Sequence, residues 1–200
     1  MRSLLVATAP LLFGILLIMT GNGLQGTLLG VRASLEGFPT AFTGIVMSGY
    51  YVGFLAGSIL TPRFVGRVGH IRVFAALAAV GATAVLIYPV FVDIPAWTAL
   101  RFLTGFAFSG MYVVTESWLN DRSDNETRGQ MLSVYMITQF VGLTAGQFMI
   151  NLYDPASFQL FSLGSALIGL ALVPVVLSRA PAPRFDQPVH LGIRALYRIS

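Results

Sequence analysis

The stretch Val73-Phe-Ala-Ala-Leu-Ala-Ala-Val-Gly-Ala-Thr-Ala-Val-Leu-Ile-Tyr-Pro-Val-Phe-Val92 runs for twenty residues without a charge. A helix rises about 1.5 Å per residue, so this run is about 30 Å long, the thickness of a bilayer's hydrocarbon core. Outward from it, comparable uncharged runs occupy residues 3–31, 37–62, 129–153 and 155–178. A sixth, residues 94–115, is broken only by Arg101. The expectation is an all-α membrane protein whose residues 1–178 form a bundle of six transmembrane helices. Residues 179–200 are left as a cytoplasmic segment.

Composition narrows the function classes. Hydrophobic residues are 56% and charged residues only 10% of the chain, well below the about 25% charged of a soluble domain. The mean hydropathy is +0.78. Most soluble enzyme chemistry is thereby excluded. The chain has no cysteine, so disulfides, thiol catalysis and cysteine-ligated metals are excluded, and no metal or cofactor is expected. The net charge of +4 comes from arginines at helix ends, which explains orientation better than nucleic-acid binding.

That orientation follows from the positive-inside rule. With a cytoplasmic N-terminus, the inner segments hold Arg2, then Arg63, Arg67 and Arg72, then Arg122 and Arg128, then Arg179, Arg184, Arg194 and Arg198. The outer segments hold only Arg32. Both termini are therefore expected inside, in a multi-pass protein of the inner membrane. The first run is longer than the 7–15-residue core of a signal peptide, which argues against cleavage. Outer turns are expected at Val92-Asp93-Ile94-Pro95 and Tyr153-Asp154-Pro155, each an acidic residue with proline close behind. Tyr88, Trp97 and Tyr153 read as an outer aromatic belt and Trp118 as an inner one.

The six helices divide into two triplets of opposite topology, an inverted three-helix repeat. Gly49, Gly53 and Gly57 in helix 2, and Gly142 and Gly146 in helix 5, repeat at four-residue spacing and predict close helix packing in lipid. The first helix of each triplet carries the polar exceptions. Helix 1 contains Thr20-Gly21-Asn22-Gly23-Leu24-Gln25-Gly26-Thr27, which reads either as an interrupted helix whose freed backbone serves a cavity or as a frayed outer end. Helix 4 contains Arg101, either lining a pathway or snorkelling to the surface. Gln139 and Gln147 share the glycine face of helix 5. They and Tyr50 have two roles open: a substrate contact or a helix–helix hydrogen bond. Glu116 is a candidate coupling carboxylate, or a partner for Arg128 or a loop arginine.

These motifs resemble the N-terminal half of a major facilitator superfamily transporter, along the whole chain. Gly66-Arg67-Val68-Gly69-His70-Ile71-Arg72 is similar to that family's basic loop between helices 2 and 3, with Gly66 where the family has an aspartate. Arg101-Phe-Leu-Thr-Gly105 resembles its arginine-xxx-glycine motif in helix 4, and Arg128-Gly129 its second cytoplasmic basic loop. Glu116-Ser-Trp-Leu-Asn120, with the two basic loops, is similar to the YcaD-like branch of bacterial members. The resemblance implies alternating access, with helices 1 and 4 lining a central cavity. It also implies gating roles for Arg67, Gly69, Arg72, Arg128 and Gly129, and moving contacts of helices 2 and 5 against a second half.

The combined expectation is half of a secondary active transporter moving a small solute, with Asn22, Gln25, Tyr50, Arg101, Gln139 and Gln147 on the pathway. Helices 2 and 5 are expected to meet the second half through their glycine faces. The tail places Arg194 and Arg198 opposite Leu191, Ala195 and Ile199, as in a short amphipathic helix on the inner surface. Besides lipid and solute, the expected partner is a C-terminal six-helix half or a second copy of the chain. Rival readings are a non-transporting membrane scaffold, a homodimeric half-size transporter, and a hydrolase built on Ser109. The hydrolase has no base at membrane depth, since His70 and His190 lie in cytoplasmic segments.

Overall fold

Helices are the natural solution for these runs, because in lipid each backbone polar group has to be satisfied within its own segment. The computed structural model describes residues 2–177. In chain order it contains α1 (Arg2–Leu35), α2 (Thr40–Val68), α3 (His70–Ile87), α4 (Ile94–Arg122), α5 (Arg128–Phe148), a 3₁₀ turn (Met149–Leu152), α6 (Gln159–Leu170) and α7 (Leu172–Leu177). No strand occurs among the described residues. Four segments are long and apolar enough to cross a bilayer: Ala7–Leu35, Thr40–Val68, His70–Ile87 and Gln159–Leu177. Helices α4 and α5 are also long but more polar, and α4 buries residues along most of its length. The amphipathic helix expected at residues 191–200 lies outside the described residues.

The turns follow local chemistry. Asp93 caps α4, its carboxylate accepting from the Ala96 amide at 2.8 Å, with Pro95 in the first turn. Asp154 closes the α5–α6 turn, accepting from the Ala156 amide at 2.9 Å. The sixth run is divided into α6 and α7 because Pro174 has no amide proton, and its ring crowds the carbonyl four residues earlier, at Leu170, where α6 ends. The loop expected between helices 2 and 3 shrinks to one residue. Gly69 has φ 87°, a left-handed conformation that favours glycine, and its amide bonds the Val65 carbonyl at 2.9 Å.

Two helix pairs carry the packing, α2 on α4 and α1 on α5; α3 packs on α4 and α6, and α1 on α6. The pairs are joined at glycines so close that a methyl group would meet the facing backbone. On α2, Gly49 faces the Thr98 carbonyl, Gly53 that of Phe102 and Gly57 that of Phe106, while Gly105 of α4 faces the Tyr50 carbonyl. On α5, Gly142 faces the Leu16 carbonyl and Gly146 that of Thr20, while Gly23 of α1 faces the Leu143 carbonyl. The spacings coincide. Gly105 follows Phe102 by three residues as Gly23 follows Thr20, and Gly53 follows Tyr50 as Gly146 follows Leu143.

This corrects two expectations. The glycine faces of α2 and α5 are buried within the bundle against α4 and α1, so they are not free to meet a second half. The outward faces of these helices carry large apolar side chains instead, among them Val52, Leu55, Ile59, Met136, Ile137 and Phe140. Helix α1 also runs unbroken through residues 20–27, well short of its end at Leu35. Its glycines admit neighbours: Gly21 lies against Ile168 and the Gly164 carbonyl of α6, and Gly23 against α5.

The aromatic belt is corrected as well. Tyr88 and Trp97 are fully buried and Trp118 nearly so; Tyr153 alone of the four is exposed. Trp97 donates from Nε1 to the Tyr88 carbonyl at 3.1 Å and packs against Phe38 at 5.1 Å. Tyr88 stacks on Phe161 at 6.2 Å. These rings fill the end of the bundle where α3 gives way to α4, which buries far more of their area than a lipid-facing position would. Beside them Arg32 binds Glu36 (Nη2 to Oε1, 2.6 Å) and donates to the Pro155 and Ala156 carbonyls. Arg32 thus ties the end of α1 to the α5–α6 turn.

Candidate functional site

A cavity of about 240 Å³ opens between the α1–α5 pair and the α2–α4 pair. Asn22, Gly23, Gly26 and Thr27 of α1, Tyr50 and Tyr51 of α2, Arg101 of α4, and Leu143 and Gln147 of α5 line it. Four of the six residues expected on the pathway, Asn22, Tyr50, Arg101 and Gln147, therefore share one space. Gln25 and Gln139 do not line it.

Arg101 is 7% exposed although permanently charged. Its guanidinium lies 5.0 Å from the centroid of the Tyr50 ring, a cation–π arrangement, and Nη2 donates to Met47 Sδ at 3.0 Å. Nε, also buried, has no partner. The side chain is folded into protein rather than extended toward the surface, as snorkelling would require. Next to it, Asn22 donates to the Tyr112 hydroxyl at 3.3 Å, and that hydroxyl donates to Met19 Sδ at 3.0 Å. Tyr50, Phe54, Phe108 and Tyr112 form a connected aromatic wall with centroids 6.0–6.4 Å apart.

Behind Arg101 lies a second polar group. Gln25 is 1% exposed, and neither atom of its amide has a partner. The buried Tyr88 hydroxyl lies beside Gln25 and Thr104, but none of these contacts closes a hydrogen bond of good geometry. Buried polar atoms are usually satisfied, so this cluster is unusual in the bundle. Gln139 instead lies beside Tyr135 on its own helix.

Tyr135 donates to Glu116 Oε1 at 3.2 Å, and this candidate coupling carboxylate is exposed, near the C-terminal end of α4. His70, buried, shares a 3.1 Å hydrogen bond with Ser117 and ties α3 to α4, while Ser109 is buried and unpartnered. Arg67 and Arg72 are exposed on the last turn of α2 and the first of α3, beside an apolar groove of about 400 Å³. Arg128 and Gly129, exposed, open α5. The preceding turn is held by Asp124, which accepts from the Thr127 hydroxyl at 2.7 Å and the Thr127 amide at 2.8 Å. These bonds to its ionised form hold the Asp124 carboxyl below its ordinary pKa.

Sequence reasoning passed over Thr27, Tyr51 and Tyr112. Tyr112 was findable, because it follows Arg101 by eleven residues, three helical turns on one face. Met47 and Met19, which hold the polar heads, gave no signal, since methionine in an apolar run reads as packing.

A sequence profile described as the Major Facilitator Superfamily matches residues 11–197. An "uncharacterized MFS-type transporter" of Yersinia pestis is 28% identical over 169 residues, 84% of this chain and 44% of its own length. An "uncharacterized MFS-type transporter YcaD" of Escherichia fergusonii is 29% identical over 189 residues, 94% of this chain and 50% of its own. A similarly named protein of Salmonella arizonae is 24% identical over the same shares. The chain spans about half the length of the curated relatives it matches. Span-length apolar helices and a match to the family profile over nearly the whole chain lead to one conclusion: this is a multi-pass membrane protein that belongs to the major facilitator superfamily of transporters.

Proposed function

We propose that the chain is the N-terminal six-helix half of a secondary active transporter, carrying a small solute across the inner membrane by alternating access. The observation that carries the reading is the cavity between the two glycine-seamed pairs, with Asn22, Tyr50, Arg101 and Gln147 on its walls. Its volume is below the about 300–1,000 Å³ of drug-sized sites, which suits a small solute or one wall of a chamber completed by a second half. The matching glycine spacings of α2 on α4 and α5 on α1 support two inverted three-helix repeats, and the arginine bias supports cytoplasmic termini. The exposed apolar faces of α2 and α5 suit the partner half, for which a second copy of this chain is the alternative. Gly69, with Arg67 and Arg72, would act at the cytoplasmic gate.

The absence of native cysteine permits a direct test. Single cysteines at Asn22 and Gln147 in oriented vesicles, probed with membrane-impermeant maleimides, should react from either face in different conformations. A cysteine sealed from both faces would make the bundle a scaffold and defeat the proposal.

A further inference from the structure

We propose that the cavity takes a small organic monoanion, its carboxylate-type group paired with Arg101; this rests on the reading of the cavity as the solute site. Among the described residues, Arg101 is a buried cation without a counter-charge. No carboxylate among the described residues forms an ion pair with it, and the tyrosines around it are Tyr50, Tyr51 and Tyr88. Its polar contacts are a methionine sulfur, a weak acceptor, and a tyrosine ring face; its buried Nε has nothing.

An unpaired buried charge is costly, and such groups are ordinarily matched by an opposite charge. Here the cavity opens on the guanidinium, and the rest of the polar lining is neutral: Asn22, Thr27, Tyr51 and Gln147 offer amides and hydroxyls. A planar, delocalised guanidinium with free N–H groups matches the two oxygens of a carboxylate. One fixed positive charge also sets the ligand's charge at one, because a dianion would leave a negative charge unmatched. The ring of Tyr50 under the guanidinium and Tyr51 beside it provide an apolar surface for the body of an organic anion. A cationic solute would meet repulsion from Arg101 in the same space.

The test uses three probes of one shape: benzoate, benzamide and benzylamine, with charges of minus one, zero and plus one. Each is titrated by calorimetry into the purified full chain in detergent. Benzoate should bind, and the other two about tenfold or more weaker. Arg101→Gln should weaken benzoate by about 30-fold or more, the usual consequence of removing one partner of a desolvated charge pair. Arg101→Lys should recover part of that loss. Should Arg101→Gln fail to fold, Gln147→Glu serves instead: it places a carboxylate at an exposed position on the wall and should abolish benzoate binding while admitting benzylamine.

Equal binding of all three probes overturns the proposal, and so does benzoate affinity unchanged by Arg101→Gln or Gln147→Glu. Absence of benzoate binding to the folded wild-type chain at 10 mM overturns it too. The readout requires no flux. Arg101-dependent binding with Asn22 sealed from both faces would therefore refute transport and keep the anion site; two-sided labelling without charge selection would do the reverse.

Discussion

Replacing Gly53 by alanine places a methyl group inside the Phe102 carbonyl, whereas a methyl at Gly44 meets nothing within 4 Å. The series between them is graded by the same geometry. At Gly49 the methyl would lie 2.9 Å from the Thr98 carbonyl oxygen, and at Gly57 it would lie 2.5 Å from that of Phe106. Ordinary contacts begin near 3.4 Å, so α2 and α4 must part by roughly 0.5 Å and 0.9 Å respectively. A gap of that size forfeits about a quarter to a half of the dispersion energy of the atom pairs it opens, and overpacking of this kind costs about 1–3 kcal/mol. Alanine returns about 0.5–1 kcal/mol through helix propensity. The expected order of stability is Gly44→Ala above wild type, then Gly49→Ala, Gly57→Ala and Gly53→Ala, spanning about 2–3 kcal/mol. Gly146→Ala, which meets the Thr20 carbonyl on the other seam, should match Gly53→Ala. Unfolding in SDS, followed by the fluorescence of the buried Trp97 and Trp118, measures the series. If Gly53→Ala proved as stable as Gly44→Ala, the backbone contacts that define the seams would not exist in the membrane.

Three further outcomes are expected. Tyr88→Phe removes a buried hydroxyl that closes no hydrogen bond, so the unfolding midpoint should hold or rise; a loss above about 1 kcal/mol would reveal a hidden partner. Arg32→Gln frees the end of α1 from Glu36 and the α5–α6 turn, and hydrogen exchange at residues 154–157 should quicken with the α2–α4 seam unaffected. The turn before α5 should respond to acid in a defined direction. Asp124 has a depressed pKa when folded, so its contribution is present above the ordinary value of 3.8 and is lost as pH falls through the lower folded value. Amide exchange at Glu126 and Thr127 should therefore accelerate only below that ordinary range, and Asp124→Ala should show the fast rate at every pH.

The helices themselves were readable, because continuous apolarity and charge placement respond to the bilayer directly. Asp93 and Asp154 were readable as turns for a similar reason: an acidic side chain followed by proline leaves few local conformations. The direction of the glycine faces was not. Spacing shows that Gly49, Gly53 and Gly57 share a side of α2, but any close neighbour satisfies it, and the neighbour is α4 inside the bundle. The same limit explains Tyr88, Trp97 and Trp118, since aromatic rings gain by burial in protein as well as at an interface. Within the site, Asn22, Tyr50, Arg101 and Gln147 were readable as polar exceptions in apolar helices. Gln25 looked identical in sequence, yet its position on α1 turns it toward Tyr88 rather than the cavity.

The two seams also divide the bundle by stiffness. Backbone pressed on backbone leaves α1 with α5, and α2 with α4, little freedom to slide or splay, so each pair behaves as a rigid beam. Between the beams the contact is made by side chains, such as Asn22 on Tyr112, which rotate at small cost. Elastic compliance is therefore concentrated along the crease that holds the cavity. A load that shifts one beam against the other would deform the crease on which Arg101 and its neighbours lie.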